Sequence, residues 1–152
     1  MQGIGGMRVS EKLLVPSAWR NVERAMPTEA LMDYVKDLGD PACVIDPSGL
    51  VCVANAAWAA AVDQGGGVLS LAPVRSDYLA FCDDIALHGF PAAYQLAQGI
   101  REILDAGNGQ WEMSYRHQAK GMQLYFAVRI ESLDFDHCRY VLLIHRRIAM
   151  NV

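Results

Sequence analysis

Several patterns that assign chemistry directly are missing from this chain. It has no nucleophile elbow, no zinc-protease helix motif and no phosphate-binding loop. Its adjacent carboxylates, Asp83 and Asp84, would point in different directions on a helix. A metal site needs three or four convergent ligands, and no histidines and cysteines are spaced as such a set. We therefore expect a protein that is not an enzyme and that holds no metal.

Positive charge and long apolar runs are also scarce. Lysine and arginine number 13 against 17 aspartates and glutamates, and the formal net charge is −4. Nucleic-acid binding depends on neutralising phosphates, so no nucleic-acid partner is expected. The longest apolar run, residues 50–62, is interrupted by Asn55 and is too short to cross a bilayer. The first residues lack the pattern of a signal peptide, so we expect no membrane association and a cytoplasmic location.

The four cysteines form no CxxC pair and no dense framework, so reduced thiols are expected. Cys43 and Cys52 lie in apolar, strand-like runs and are interpreted as small buried hydrophobic residues.

The composition that is present, 53% hydrophobic and 20% charged over 152 residues, is typical of one globular domain. Residues 1–27 are interpreted as a flexible arm with a short helix from Ser17, and residues 28–152 as the folded domain. A second helix is predicted from Thr28 to Leu38, ending at Gly39.

A β-hairpin is predicted next. Ala42 to Ile45 forms a buried strand, Asp46-Pro47-Ser48-Gly49 a tight turn, and Leu50 to Val53 the returning strand. Asn55 ends the second strand and could cap a helix that runs through Trp58 and Val62.

Helices and then strands fill the rest of the chain. One helix is predicted from Ser76 to Leu87, and a longer one begins at Pro91 and stops at Gly107. Three strands are predicted at the end of the chain, Trp111 to Tyr115, Leu124 to Ile130 and Arg139 to His145. Strands separated by a helical block indicate an α+β domain with an antiparallel sheet.

These segments together resemble the PAS family, and specifically a bacterial PAS sensory domain. Pro41 to Asn55 is similar to the family's opening hairpin, and Ala56-Ala57-Trp58 to the start of its first core helix. The resemblance continues through Asp77-Tyr78-Leu79 with Cys82, Gly99-Ile100, Ile103-Leu104, Trp111 to Tyr115 and Leu143-Ile144-His145, and covers roughly residues 28–149. It implies a five-stranded antiparallel sheet with short helices and one long helix on one face, plus an N-terminal helical extension.

The resemblance also implies a function in signal transduction. Such a domain would bind a small molecule in an apolar pocket and would signal through dimerisation or a partner in trans. The partner would be a histidine kinase or another effector, in trans or in a longer parent chain. PAS domains that drive an effector often close on Asp-Ile-Thr, whereas Arg147-Ile148-Ala149 stands here, which favours a partner in trans.

Candidate site residues follow from the same resemblance. The pocket would lie between the long helix and the inner face of the sheet, lined by Leu96, Ile100, Ile103, Met113, Tyr115, Phe126, Val128, Leu142 and Ile144. Contacts of a homodimer would come from Trp19, Val22, Leu31, Tyr34, Val35 and Leu38, with Met26 beside them. The alternative is a pure interaction module whose side chains fill the core and leave no room for a ligand.

The identity of the ligand stays open, and a small apolar molecule is the expectation. Some PAS domains hold haem through a histidine on the long helix, and His88 lies just before that helix here. A histidine near a helix end more often caps the helix, so haem is not expected. The cysteine and asparagine motif of flavin-binding light sensors is absent, so flavin is not expected either.

Overall fold

The computed structural model describes residues 28–64, 67–119 and 121–148. Of the described residues, those from Leu31 onward belong to one compact unit. The helix predicted from Ser17, with Trp19, Val22 and Met26, lies outside the described residues.

The order of elements is an α-helix, two strands, three α-helices with a short 3₁₀ helix after the first of them, and three strands. They are α1 (28–35), β1 (Ala42–Ile45), β2 (Val51–Ala54), α2 (Ala56–Gln64), a short 3₁₀ helix (Val68–Ser70), α3 (Tyr78–Leu87), α4 (Pro91–Ala106), β3 (Gln110–Ala119), β4 (Met122–Phe135) and β5 (Cys138–Ile148). The predicted order is confirmed. The structure extends the last three strands beyond their predicted bounds and ends α1 at residue 35 rather than at Leu38.

The five strands form one antiparallel sheet in the order β2-β1-β5-β4-β3. The last strand lies in the centre, where Cys43 of β1 pairs with Leu143 and Ile130 of β4 pairs with the same residue from the other side. β4 and β5 are joined by a tight turn in which Asp136 and His137 have φ of 52° and 62°. Such left-handed turns match the twist of the flanking strands. The α+β antiparallel fold class is therefore confirmed.

The sheet has a packed cluster on each face. The inner face lies against α2, α3 and α4, where Trp58, Tyr78 and Leu96 are buried together with Leu143 of β5. The outer face carries a smaller cluster that includes residues of α1. Side chains alternate along a strand, so consecutive residues of β5 belong to different clusters.

This alternation corrects two of the predicted pocket residues. Leu142 is part of the outer cluster and Ile144 packs against it, while Val141 and Leu143 are in the inner cluster. The placement of Leu142 and Ile144 in the inner pocket was therefore wrong by one residue. A central strand covered on both faces is apolar at nearly every position, so its sequence carries no period from which the register can be read.

The side chain of Asn55 connects α1, β1 and α2 by hydrogen bonds. Its side-chain oxygen accepts hydrogen bonds from the backbone N–H of Ala42 (3.1 Å) and Trp58 (2.9 Å). Its amide nitrogen donates to the carbonyls of Val35 (3.1 Å), Leu38 (3.1 Å) and Asp40 (2.9 Å). The predicted N-cap of α2 is confirmed, and the same side chain fixes the C-terminal end of α1 and the start of β1.

Candidate functional site

A cluster of stacked aromatic rings lies on the inner face of the sheet. Tyr115 of β3 stacks on Phe126 of β4, with ring centroids 5.2 Å apart, and Phe126 stacks on His145 of β5 at 4.8 Å. Phe90, which precedes α4, meets the ring of Tyr115 edge-on at 5.4 Å. Three neighbouring strands thus align one aromatic ring each, a geometry that favours stacking.

Within this cluster, Tyr115 and His145 form a buried polar pair. The Tyr115 hydroxyl is hydrogen bonded to Nε2 of His145, and its oxygen accepts a hydrogen bond from the backbone N–H of Leu69 (3.3 Å). His145 is 1% exposed. Buried polar groups are costly unless they are hydrogen bonded, and this pair satisfies itself.

Both members of the pair are uncharged at neutral pH. Burial lowers the pKa of His145 from 6.5 to about 4, because the imidazolium would lose its hydration. Burial raises the pKa of Tyr115 above its usual value of 10 for the same reason. The pair can therefore offer a hydrogen bond to a neutral group but no charge to an ion.

Residues 67–72, between α2 and α3, cover the pair; we call them the covering segment. A Cβ atom placed on Gly67 would lie 2.5 Å from the Tyr115 hydroxyl and 2.6 Å from Cε1 of His145. Backbone therefore packs directly on the pair at this position, and only glycine leaves room for it. Leu69, Ser70 and Ala72 of the segment are fully buried.

Most of the predicted pocket residues do converge on the inner face. Leu96, Ile100, Ile103, Tyr115, Phe126 and Val128 are members of the inner cluster, and Met113 packs against it. Leu142 and Ile144 lie on the other face, as described above. Sequence reasoning missed His145, which was interpreted only as the end of a strand; its burial depends on the register of β5, for which the local sequence carries no signal.

The inner face is covered by the chain itself. Leu69, Leu96 and Ile100 have no exposed surface. A groove of about 500 Å³ lies elsewhere, on the surface between α3 and α4, and is lined by Asp83, Ala86, Leu87, Pro91 and Tyr94.

The predicted dimer contacts divide into buried and exposed residues. Leu31 and Val35 are 1% and 0% exposed and pack in the outer cluster, so they belong to the chain's own core. Their assignment to a dimer surface was wrong, because a short apolar stripe at helical spacing fits an intramolecular and an intermolecular contact equally well. Tyr34 and Leu38 are 47% and 36% exposed. Trp19 and Val22 lie outside the described residues.

His88 caps the C-terminal end of α3 on the surface. Its Nδ1 lies 2.7 Å from the backbone oxygen of Asp84 and 3.8 Å from that residue's carboxylate. In residues 28–64, 67–119 and 121–148, no three histidine, cysteine or acidic side chains are grouped as metal ligands. None of the helices described over these ranges is long and apolar enough to cross a membrane.

Solved structures share this architecture. The PAS domain of BvgS from Bordetella pertussis superposes with a TM-score of 0.53 over 80% of this chain and 86% of that chain, at 15% sequence identity. The chain has the PAS fold. A PAS domain of an HTR-like protein from Haloarcula marismortui is also similar, with a TM-score of 0.45 and 14% identity over 82% of this chain and 99% of that one.

Sequence comparison assigns no family to the chain. No family model matches the chain. An uncharacterised 104.1 kDa protein from Rhodobacter capsulatus is 28% identical over 109 residues, which is 70% of this chain. The chain spans 11% of the length of that relative.

Proposed function

We propose that this PAS domain is a sensory module of signal transduction, and that it binds a small neutral molecule on the inner face around Tyr115 and His145. The observation that carries the proposal is the polar pair itself, buried in an otherwise apolar cluster. Ligand sites in proteins are mostly apolar with a few placed polar groups that orient the ligand. Tyr115 was also among the pocket residues predicted from the sequence.

Strand β5 offers a route from the site to the outer face. His145 and Leu143 point to the inner cluster, while the intervening Ile144 packs against the outer cluster that contains Leu31 and Val35 of α1. A ligand that displaces β5 would therefore move the surface on which α1 rests. Coupling of this kind requires the ligand to favour one of two arrangements of the strand.

The output would pass to a second copy of the chain or to an effector in trans, such as a histidine kinase. Tyr34 of α1 and Leu38, three residues after α1 ends, support the docking of a partner, since both are partly exposed apolar residues. Leu31 and Val35 are buried and do not belong to that surface.

A second candidate is an interaction module without a ligand. The complete burial of Leu69, Leu96 and Ile100 on the inner face favours it. In that case the Tyr115–His145 pair would serve only to fix the packing of the core.

Native mass spectrometry of protein purified from cells separates the two candidates. We expect a retained small molecule in the wild type and its loss in Tyr115→Phe, which removes the hydroxyl and keeps the ring. Tyr140→Phe is the matched control, since Tyr140 is a buried tyrosine of the outer cluster. A wild-type protein that is empty and that also fails to bind any compound from a metabolite extract would refute ligand binding and support the interaction module.

The partner surface is tested separately by light scattering. We expect a dimer that dissociates when Tyr34 and Leu38 are both replaced by serine. Leu87→Ser is the control, because Leu87 is 86% exposed and lies on α3. An unchanged mass in the double variant would exclude this surface from the dimer contact.

A further inference from the structure

The covering segment occupies the place where the proposed ligand would bind. Leu69 is a member of the inner cluster and is fully buried beside Tyr115, and the backbone of Gly67 lies on the Tyr115–His145 pair. Gly67 and Leu69 contact Tyr115 directly, so a ligand cannot take their place on the pair while these residues stay there.

The covering segment is attached to the rest of the domain by hydrogen bonds with side chains, whereas the strands are held by backbone pairing. Within the segment, the N–H and the hydroxyl of Ser70 both donate hydrogen bonds to the carbonyl of Gly67. Among the described residues, the hydrogen bonds that join the segment to other elements come from three aromatic side chains. They are Tyr115 with the N–H of Leu69 (3.3 Å), Tyr78 with the carbonyl of Leu69 (2.6 Å) and Trp58 with the carbonyl of Ala72 (2.8 Å).

We infer that the covering segment is a displaceable occupant of the site, and that a ligand binds by replacing Leu69. The inference rests on the proposed function and adds how the site opens and what chemistry it accepts. Local opening costs least where a segment is held by few backbone hydrogen bonds. Displacement of the segment breaks three hydrogen bonds between aromatic side chains and its backbone, and no strand pairing is lost from the sheet.

The contacts of Leu69 define the class of ligand. Its side chain fills an apolar space, and its N–H donates to the Tyr115 oxygen. Among the described residues, the polar side chains that are buried are Asn55, Ser70 and His145, and no Asp, Glu, Lys or Arg is buried. A replacement must therefore be a neutral molecule with a compact, branched apolar group and one N–H or O–H donor, because an ion would lose its hydration without a partner.

Amide hydrogen exchange in the wild-type protein tests the displacement without any ligand. We expect the Leu69 amide to exchange at least about 100-fold faster, relative to its intrinsic rate, than the Leu143 amide in the central strand. Tyr78→Phe removes one of the three attachments and should increase opening at Leu69 about fivefold beyond any change at Leu143. Tyr140→Phe, on the outer face, should leave the ratio of the two amides unchanged. Equal protection of Leu69 and Leu143 in the wild type would overturn the inference.

Titration with 3-methylbutanamide, followed by NMR, tests the ligand class. This probe has a branched apolar group and an N–H donor, and we expect weak binding, about 1 mM, that shifts the Tyr115 and Leu69 signals and speeds exchange at Leu69. The carboxylate 3-methylbutanoate and the donor-free N,N-dimethyl amide should each bind at least about tenfold more weakly, because one is charged and the other leaves the Tyr115 oxygen unpaired.

The outcomes distinguish this inference from the proposed function. Binding that shifts Tyr115 while Leu69 keeps its protection would refute displacement and leave the sensory module standing. Equal binding of the three probes would refute the ligand class. Rapid opening at Leu69 with no binding of any probe, together with an empty native mass spectrum, would instead refute the proposed function.

Discussion

Replacement of Asn55 by alanine tests how the hairpin, α1 and α2 are held together. The side chain is 2% exposed and makes five hydrogen bonds to backbone groups of α1, β1, α2 and the connection between α1 and β1. Alanine would remove all five and would leave buried backbone groups without partners. The largest cost is at Ala42, because this residue is fully buried and its N–H would lose its acceptor.

The magnitude follows from three contributions. Loss of an asparagine N-cap costs about 1 kcal/mol. A buried N–H left unpaired at Ala42 costs about 2 kcal/mol, and the three carbonyls that lose a shared donor add about 1 kcal/mol. The sum, about 4 kcal/mol, is a large part of the stability of an ordinary domain, about 5–15 kcal/mol.

Urea unfolding followed by circular dichroism measures this loss. With a slope of about 2 kcal/mol per molar, the midpoint should fall by about 2 M. Asn108→Ala is the control, because Asn108 is an exposed asparagine between α4 and β3, and its substitution should change stability by less than about 0.5 kcal/mol. A loss of less than about 1 kcal/mol in Asn55→Ala would show that water replaces the amide and that the side chain does not join the elements.

Three further predictions concern the inner face and the thiols. The pKa of His145, about 4 in the folded state against 6.5 when unfolded, means that the unfolded chain takes up the proton first. Stability should therefore fall as pH drops from 6.5 towards 4, by about 2 kcal/mol between pH 7.5 and pH 5, and urea titrations of His145→Gln should lack this part of the slope. Gly67→Ala should cost about 2 kcal/mol by steric overlap with the buried pair, whereas Gly39→Ala, where a Cβ meets nothing within 4 Å, should cost less than about 0.5 kcal/mol; equal thermal shifts would refute the contact. Mass spectrometry after iodoacetamide should show native Cys138 alkylated and Cys82 unmodified, because Cys138 is exposed while burial raises the pKa of Cys82 to about 12; rapid labelling of Cys82 would indicate an open core.

Local sequence signals were sufficient for the order of elements. Asp46, Gly49 and Asn55 have side-chain or backbone preferences that act within a few residues, so the hairpin and the start of α2 could be predicted. Asp46 indeed accepts hydrogen bonds from the N–H groups of Ser48 (2.9 Å) and Leu50 (3.0 Å), and Gly49 has a φ of 97°. Gly107, with a φ of 96°, ends α4 where it was expected.

The candidate site was only partly within reach of the sequence. The stripe of Leu96, Ile100 and Ile103 on α4 has a helical period, and Trp111 to Tyr115 alternates, so the side that each turns to the core could be read. Residues 140–144 of β5 are apolar without a break, so the face of Leu142 could not be read. The helical spacing of Leu31 and Val35 predicted that they share the apolar side of α1. It did not predict whether that side packs on the chain's own sheet or on a partner.

The sequence by itself thus determined the elements, their order and the α+β class, because turns, caps and periodicity depend on neighbours in the chain. Only the tertiary structure decided which residues meet on the inner face. The contact of Tyr115 with His145 joins residues of two strands separated by β4, and their contact with Gly67 adds a segment from another part of the chain. Such contacts depend on strand register and on burial, which are properties of the assembled sheet and not of any local run of residues.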